Sequence, residues 1–486
     1  MIEEMFLQAV EKVLPFPLTK AQSDMVLKLS HFLYAPVERG AYILRGYAGT
    51  GKTYVISAVV KVLKRQGRDV VLLAPTGRAA KVLSLHAGFP AYTIHKIIYR
   101  QRNLGDINSP FDLDFNKHKD AVFIIDEASM IANEVDGGAA SIFHGGQLLD
   151  DLIQFVFSGR NCRMVLVGDN AQLPPVGEDE SPALSPSALR GMGLNVSGYQ
   201  LTTVWRQASE SGILMNATML RERLALASTS DAPCIDTSHY RDISNLSGSE
   251  MVETLTDDYD HWGQEQVVVV TRSNKQAVQY NLGIRNIVFG REAGLEAGDV
   301  IMVVRNNYYW TEQLAADLKD EDGRDSLPIN FLANGDIAVV RAIRSYHEFY
   351  GLHFADVSLE FPDYDYFEME VRVILDALTS PSPGLTFEQN QALYHGVMED
   401  YSDIKKHGER TRKLRLDPNY NAVQIKYAYA VTCHKAQGGQ WRNVYIDQGW
   451  LPPDGIDRAY YRWLYTAFTR ATNRLYLVNW PEEQTK

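Results

Sequence analysis

The sequence predicts an α/β protein made of two parallel-sheet domains, with a short hairpin inserted in the first and a β-rich module inserted in the second. Three observations predict it. Short apolar runs recur along the chain, each ending in a small or acidic residue, as buried parallel strands do. Helix-like stretches separate them. A β-rich segment without long apolar helices interrupts the second series.

The N-terminal MIEEMFLQAVEKVL carries Glu3 and Glu4 where a secretory leader needs Lys or Arg, and reads as a surface helix. The first strands are AYILRG (41–46), DVVLLAP (69–75), AVFIIDE (121–127) and RMVLVGD (163–169). A helix over 52–66 sets Val55, Val59, Val62 and Leu63 along one side. These features assign residues 1–97 and 119–205 to the first domain. Between them, IYRQRNLGDINSPFDLDFNKH (98–118) puts the turn signal Gly105–Pro110 between two mixed apolar and polar arms, the pattern of a hairpin. Residues 206–263 link the domains and begin the second, which occupies 264–335 and 426–486. Its strands are QVVVVTR (266–272), KYAYAVT (426–432), NVYIDQ (443–448) and NRLYLVNW (473–480). Residues 336–425 form the β-rich insertion. An acidic stretch at about 311–330 and a segment at 374–415 ending in a basic run have no role assigned.

The bulk composition excludes some classes. Hydrophobic residues make up 45% and charged residues 22%, and no run reaches the ~18 continuous apolar residues of a membrane span. Cys162, Cys234 and Cys433 are scattered and odd in number, the usage of a reducing compartment and not of a disulfide framework. The expected location is the cytoplasm. The formal charge of −12 argues against a generally basic nucleic-acid binder, but a local positive track decides that question.

Gly46-Tyr-Ala-Gly-Thr-Gly-Lys-Thr53 follows a strand and opens a helix. The glycines let the backbone wrap an anion so that N–H groups and the helix N-terminus face phosphates. Gly49, Thr50 and Gly51 form the cradle, Lys52 supplies a positive charge for the β- and γ-phosphates, and Thr53 offers a hydroxyl to Mg²⁺. Asp126 ends an apolar strand where it can hold Mg²⁺ opposite Thr53, and Glu127 beside it can activate water. Gln172, in GDNAQLPPV (168–176), is placed to contact a γ-phosphate or its water. Gln22, in LTKAQ, can read an adenine edge or be a surface residue. Arg206 and Arg470 lie outside the phosphate-loop region among aromatic neighbours. Each is either an arginine that reaches ATP across a cleft or half of a structural ion pair.

The ordered segments resemble superfamily 1 helicases, and among these the 5′→3′ RecD/Dda/Pif-like branch. LTKAQ (18–22), GYAGTGKT (46–53), APTGRAAKVL (74–83), TIH (93–95), DEAS (126–129), GDNAQLPPV (168–176), VWRQ (204–207), YAVTCHKAQGGQW (429–441) and YTAFTRAT (465–472) follow in the family's order. The resemblance implies two RecA-like domains of the P-loop NTPase type, called 1A and 2A. It also implies a 1B pin at 98–118 and an SH3-like 2B module at 336–425. It makes Gln22 the adenine reader, Arg206 a γ-phosphate contact and Arg470 the arginine finger. Gly438 falls in the segment that combines nucleotide and DNA contacts.

For the nucleic acid, Thr76, Arg78, Lys81, Thr93 and His95 lie just past a strand end of the first domain, and Thr432, His434 and Lys435 lie similarly in the second. Hydroxyls, His and Lys position phosphates and do not read bases, so binding is expected to be independent of sequence. Phe111, Leu113 and Phe115 share one face of the hairpin and either pack onto a neighbouring domain or, as the resemblance implies, act as a strand-separating wedge, with Phe111 and Leu113 the pin residues. The implied activity is Mg²⁺-dependent ATP hydrolysis driving 5′→3′ movement on single-stranded DNA and unwinding of forked or tailed duplexes, by a bacterial or phage-encoded protein, a monomer by default. The alternatives are a DNA-stimulated ATPase that remodels protein–DNA or RNA–DNA structures and a P-loop ATPase without motor activity.

Overall fold

Each apolar run expected in the first sheet becomes a buried strand. The computed structural model describes residues 2–101, 111–133, 147–203, 210–226, 231–317, 327–329, 331–452 and 455–486. The first half contains β1 (Gly40–Gly46), β2 (Val70–Ala74), β3 (Ala91–Thr93), β4 (Tyr99–Gln101), β5 (Phe111–Leu113), β6 (Val122–Ile125), β7 (Arg163–Gly168) and β8 (Asn195–Leu201). Six of these form one sheet in the order β3-β2-β6-β7-β1-β8, with every pair parallel. Alternation along β1 sends Tyr42 and Leu44 into one apolar cluster and Ala41 and Ile43 into another on the opposite face. Helix Lys52–Arg65 covers the first face with Val55, Val59 and Val62. Helix Leu148–Ser158 covers the second with Leu149, Leu152 and Val156. Burying each such side chain is worth about 1.5–3 kcal/mol.

The N-terminal helix Ile2–Glu11 is more than a surface helix, since Phe6 and Val10 sink into the first of these clusters. β3 and β8 lie at the sheet edges. β8 is largely exposed, so it carries no apolar run that would announce it.

The second half contains β9 (Ile243–Leu246), β10 (Val267–Thr271), β11 (Val300–Val303), β12 (Ile337–Phe349), β13 (Leu352–Phe361), β14 (Phe367–Ile374), β15 (Val423–Tyr427), β16 (Ala430–Thr432), β17 (Trp441–Asp447) and β18 (Ala471–Val478). A second sheet runs β16-β10-β17-β18-β9, again all parallel. β11 to β15 close into a barrel.

Two expectations about this half need correcting. The run 300–303 belongs to the barrel and not to the second α/β domain, because β11 pairs antiparallel with β12 and β15. The run 426–432 is not one strand: β15 ends in the barrel at Tyr427 and β16 begins in the sheet at Ala430. The 374–415 segment also gains a reason. β14 and β15 pair in parallel, and parallel neighbours need a long crossover. Helices Phe387–Asp400 and His407–Arg415 lie in that crossover and pack Leu393, Val397 and Leu414 onto Leu352, Phe354 and Ile374 of the barrel.

Asp299 locks the barrel to the sheet. It is fully buried and meets Arg285 Nε at 3.0 Å, Arg291 Nη1 at 3.0 Å and the Tyr429 hydroxyl at 2.9 Å. Among the described residues no helix is long and apolar enough to cross a membrane.

Candidate functional site

The carboxyl ends of β1, β6 and β7 gather the phosphate loop, Asp126 and the 169–173 loop on one edge of the first sheet, where open parallel sheets bind ligands. Gly49 and Gly51 adopt φ of 73° and 80°, a left-handed conformation that glycine enters without strain. Helix Lys52–Arg65 starts at the loop, so its N-terminal N–H groups face it. Lys52 Nζ donates to the carbonyls of Gly46 at 2.6 Å and Tyr47 at 3.0 Å.

Gln22 is buried against this loop. Its Nε2 donates to Thr50 O at 3.0 Å while its Oε1 accepts the Thr19 N–H at 2.9 Å. In this structure its side chain therefore braces the loop and caps helix Lys20–Tyr34.

Asp126 is half-buried, and desolvation first, then the charge of Glu127, push its carboxyl up to about 6, with Lys52 pulling the other way. Glu127 sits at φ 49°, a left-handed conformation rare outside glycine, and strain of this kind concentrates at working sites. Gln172 Oε1 is buried with no hydrogen-bond partner in the structure. A raised carboxyl, an orphaned acceptor and a glycine-built anion cradle fit a nucleoside triphosphate with its divalent cation. Thr53 and Asp126 are the candidate ligands of that cation.

The remaining arginines divide. Arg206 lies outside the described residues. Arg470 is 2% exposed and held within its own domain: Nε donates to Thr466 O at 3.0 Å, Nη1 to Gly439 O at 3.1 Å and Nη2 to Thr469 Oγ1 at 3.0 Å. None of these contacts joins it to the phosphate loop, so a finger role requires it to leave them.

The two domains meet directly. Leu173 N–H donates to Thr466 Oγ1 at 2.8 Å and Leu173 O accepts from Gln437 Nε2 at 2.7 Å. Gly438, at φ 72°, lets the second domain approach so closely that a Cβ there would lie 3.1 Å from Thr76 Oγ1. Arg78 was expected on a phosphate backbone. It lies 3.9 Å over the Trp441 ring and donates to Gln440 O at 2.8 Å, a bridge between domains.

A cavity of about 300 Å³ between the domains is lined by Thr76, Arg78, Asn334, His434, Lys435 and Trp441, among others. Four of the expected nucleic-acid residues thus meet there. Lys435 donates to Asn334 Oδ1, and burial lowers its ammonium to about 8. Thr432 precedes the short helix Cys433–Ala436. Lys81 and Thr93 line a separate cavity of about 450 Å³ between helix Gly77–Ala87 and residues 363–365. Lys81 donates to Pro362 O. His95 packs against Tyr99 and Phe331 with ring centroids 5.6 and 5.8 Å away. Burial pushes it down to about 4, so it is neutral and offers no positive charge to a phosphate.

In the hairpin, β4 and β5 pair with Tyr99 opposite Leu113 and Gln101 opposite Phe111. The tip and the Phe111 side chain lie outside the described residues. Leu113 packs against the first domain's core, which corrects its expected place in the wedge, whereas Phe115 is 65% exposed. Sequence reasoning missed Asn334, Gln437, Trp441, Tyr465 and Thr466 as functional positions, although four of the five fall inside segments it had singled out.

Residues 18–232 match the model of the AAA domain family, and residues 427–478 match that of the UvrD-like helicase C-terminal domain. The ATP-dependent RecD2 DNA helicase of Deinococcus radiodurans is 31% identical over 181 residues, 36% of this chain and 21% of that protein. The ATP-dependent DNA helicase dda of Enterobacteria phage T4 is 31% identical over 151 residues, 29% of this chain and 30% of that protein. The match thus spans less than a third of either relative's length. A solved structure of Pif1 helicase from Bacteroides with ADP-AlF3 and ssDNA overlays 96% of this chain and 94% of that one, with a TM-score of 0.45 and 14% identity. The two family models fall one on each parallel sheet, and over part of its length the chain is similar to the RecD2 and Dda DNA helicases.

Proposed function

We propose that this chain is an ATP-dependent DNA helicase that couples hydrolysis of Mg-ATP to 5′→3′ movement on single-stranded DNA and to opening of forked or tailed duplexes. One observation carries the reading: the phosphate-loop edge of the first sheet is hydrogen-bonded directly to the second domain through Tyr465, Thr466 and Gln437. An ATPase with no motion to transmit needs no such joint.

Mg²⁺, when bound, supplies charge neutralisation at the phosphates. Thr53 and Asp126 would hold it, Lys52 neutralises the β- and γ-phosphates, and Glu127 takes a proton from the attacking water that Gln172 orients. Arg470 and Arg206 reach the phosphates on closure, which makes hydrolysis depend on the position of the second domain. Thr76, His434 and Lys435 hold the strand in the cleft between the domains, so closing and opening the cleft shifts one grip against the other.

The test is strand displacement on duplexes with a 5′ or a 3′ single-stranded tail, with Lys52→Ala as the inactive control. The 5′-tailed duplex should be opened in an ATP-dependent way and the 3′-tailed one not. Turnover that DNA fails to raise, with neither duplex opened, would leave a P-loop ATPase without motor activity.

A further inference from the structure

The Tyr465 hydroxyl joins three segments at one oxygen. It donates to Asp169 Oδ2 at 2.6 Å and accepts the Ala48 N–H at 2.8 Å. Tyr465 comes from helix Arg458–Phe468 of the second domain and is 1% exposed. Ala48 is part of the phosphate loop. Asp169 opens the loop that leads to Gln172, and its Oδ1 accepts the Ala171 N–H at 3.0 Å, which sets the loop's first turn. The next residue along the helix, Thr466, holds Leu173 at the loop's far end.

A phenol is both donor and acceptor, so this one group satisfies a buried carboxylate and a half-buried amide together. Phenylalanine would fill the same space and leave both unsatisfied. The amide involved belongs to the loop whose backbone cradles phosphate, and the carboxylate belongs to the loop that the second domain grips through Thr466 and Gln437. A shift of either loop is therefore felt by the other through the Tyr465 oxygen.

We infer that Tyr465 is a positioning residue that couples the phosphate loop to the 169–173 loop and the second domain, so that the stimulation of ATP turnover by DNA passes through its hydroxyl. The inference rests on the proposed DNA-driven motor. It assigns Tyr465 no contact with the reacting atoms.

The test is Tyr465→Phe, compared with wild type for ATP turnover with and without single-stranded oligo-dT, for KM of ATP and for thermal melting. DNA-stimulated kcat should fall at least about tenfold, as expected for a lost hydrogen bond to a charged group. KM should move less than about threefold, and the ratio of stimulated to unstimulated turnover should collapse. Asp169→Asn and the double variant complete a cycle. A double variant no slower than the slower single variant supports one shared interaction, and multiplicative losses overturn it. An unchanged stimulation ratio in folded Tyr465→Phe, or a parallel loss of stability, kcat and KM, also overturns the inference and returns the residue to packing. If wild-type turnover itself ignores DNA, the proposed function fails and this inference with it. A stimulated wild type beside an equally stimulated variant removes the inference alone.

Discussion

Asp126, the proposed cation ligand, shows how its surroundings set the charge of a side chain. Desolvation, with the charge of Glu127, raises its carboxyl to about 6, against about 3.9 in an unfolded chain. The folded protein therefore binds a proton more tightly than the unfolded one, and the ionised carboxylate is a cost. That cost is absent below about pH 4, grows as pH rises through the folded value, and is complete above it. Asp126→Asn keeps an oxygen for the Glu127 N–H and removes the charge. At pH 8 the variant should be more stable than wild type by up to about 3 kcal/mol, and by about half that at pH 5. Chemical denaturation at the two pH values checks this, and a gain that does not shrink on acidification contradicts it. Mg-ATP should reverse the order, stabilising wild type more than the variant.

Among the elements, the hairpin is the one whose proposed role can be removed separately from the proposed motor. β4 and β5 pair in register and Leu113 anchors the base to the first domain. A shortened turn in place of 103–112 removes Phe111 and Asp112 of β5 and keeps the Leu113 anchor. Replacing residues 103–112 with a Gly-Ser turn should leave DNA-stimulated ATP hydrolysis and single-strand translocation within about twofold. Duplex unwinding should fall at least about tenfold, since apolar stacking on a base is worth about 1–3 kcal/mol. Stopped-flow translocation and strand-displacement assays on one preparation separate the two effects. Unwinding that survives in the folded variant moves the wedge elsewhere, with the exposed Phe115 the next residue to replace.

For the whole molecule the question is what keeps two separate sheets in working contact. Asp299 and its arginines fix the barrel to the second sheet. The joint between the two domains is a set of separate contacts, among them Arg78 on Trp441, Tyr465 on the phosphate loop, Thr466 and Gln437 on Leu173, and Arg462 on the Asp179 carbonyl. In the proposed motor the domains close and open about these contacts in each cycle. Arg78→Gln keeps a donor for Gln440 O but removes the charge above the Trp441 ring, an interaction worth about 0.5–2 kcal/mol. KM for ATP should rise about threefold or more, while single-strand affinity without nucleotide stays near wild type. If strand affinity falls and KM does not, Arg78 is a phosphate contact after all.

The first sheet and the nucleotide site were legible because their signals are local. Burial on both faces produces unbroken apolar runs, and a backbone that must wrap phosphate needs glycine followed by lysine within a few residues. Asp126 directly follows β6, and Gln172 stands four residues past the end of β7. Hydrophobicity records that a segment is buried and says nothing about which partner buries it. The run 300–303 looks like a parallel strand until its antiparallel partners are known. Residues 426–432 give no hint that the chain leaves the barrel and enters the sheet between Tyr427 and Ala430. Arg78 has the residue type of a phosphate grip, yet its place was settled by Trp441, which arrives from the other domain. The bond between Tyr465 and Ala48 joins residues 417 positions apart. Such contacts come from long-range strand pairing and from the docking of one sheet against another, and no window of neighbouring residues encodes either.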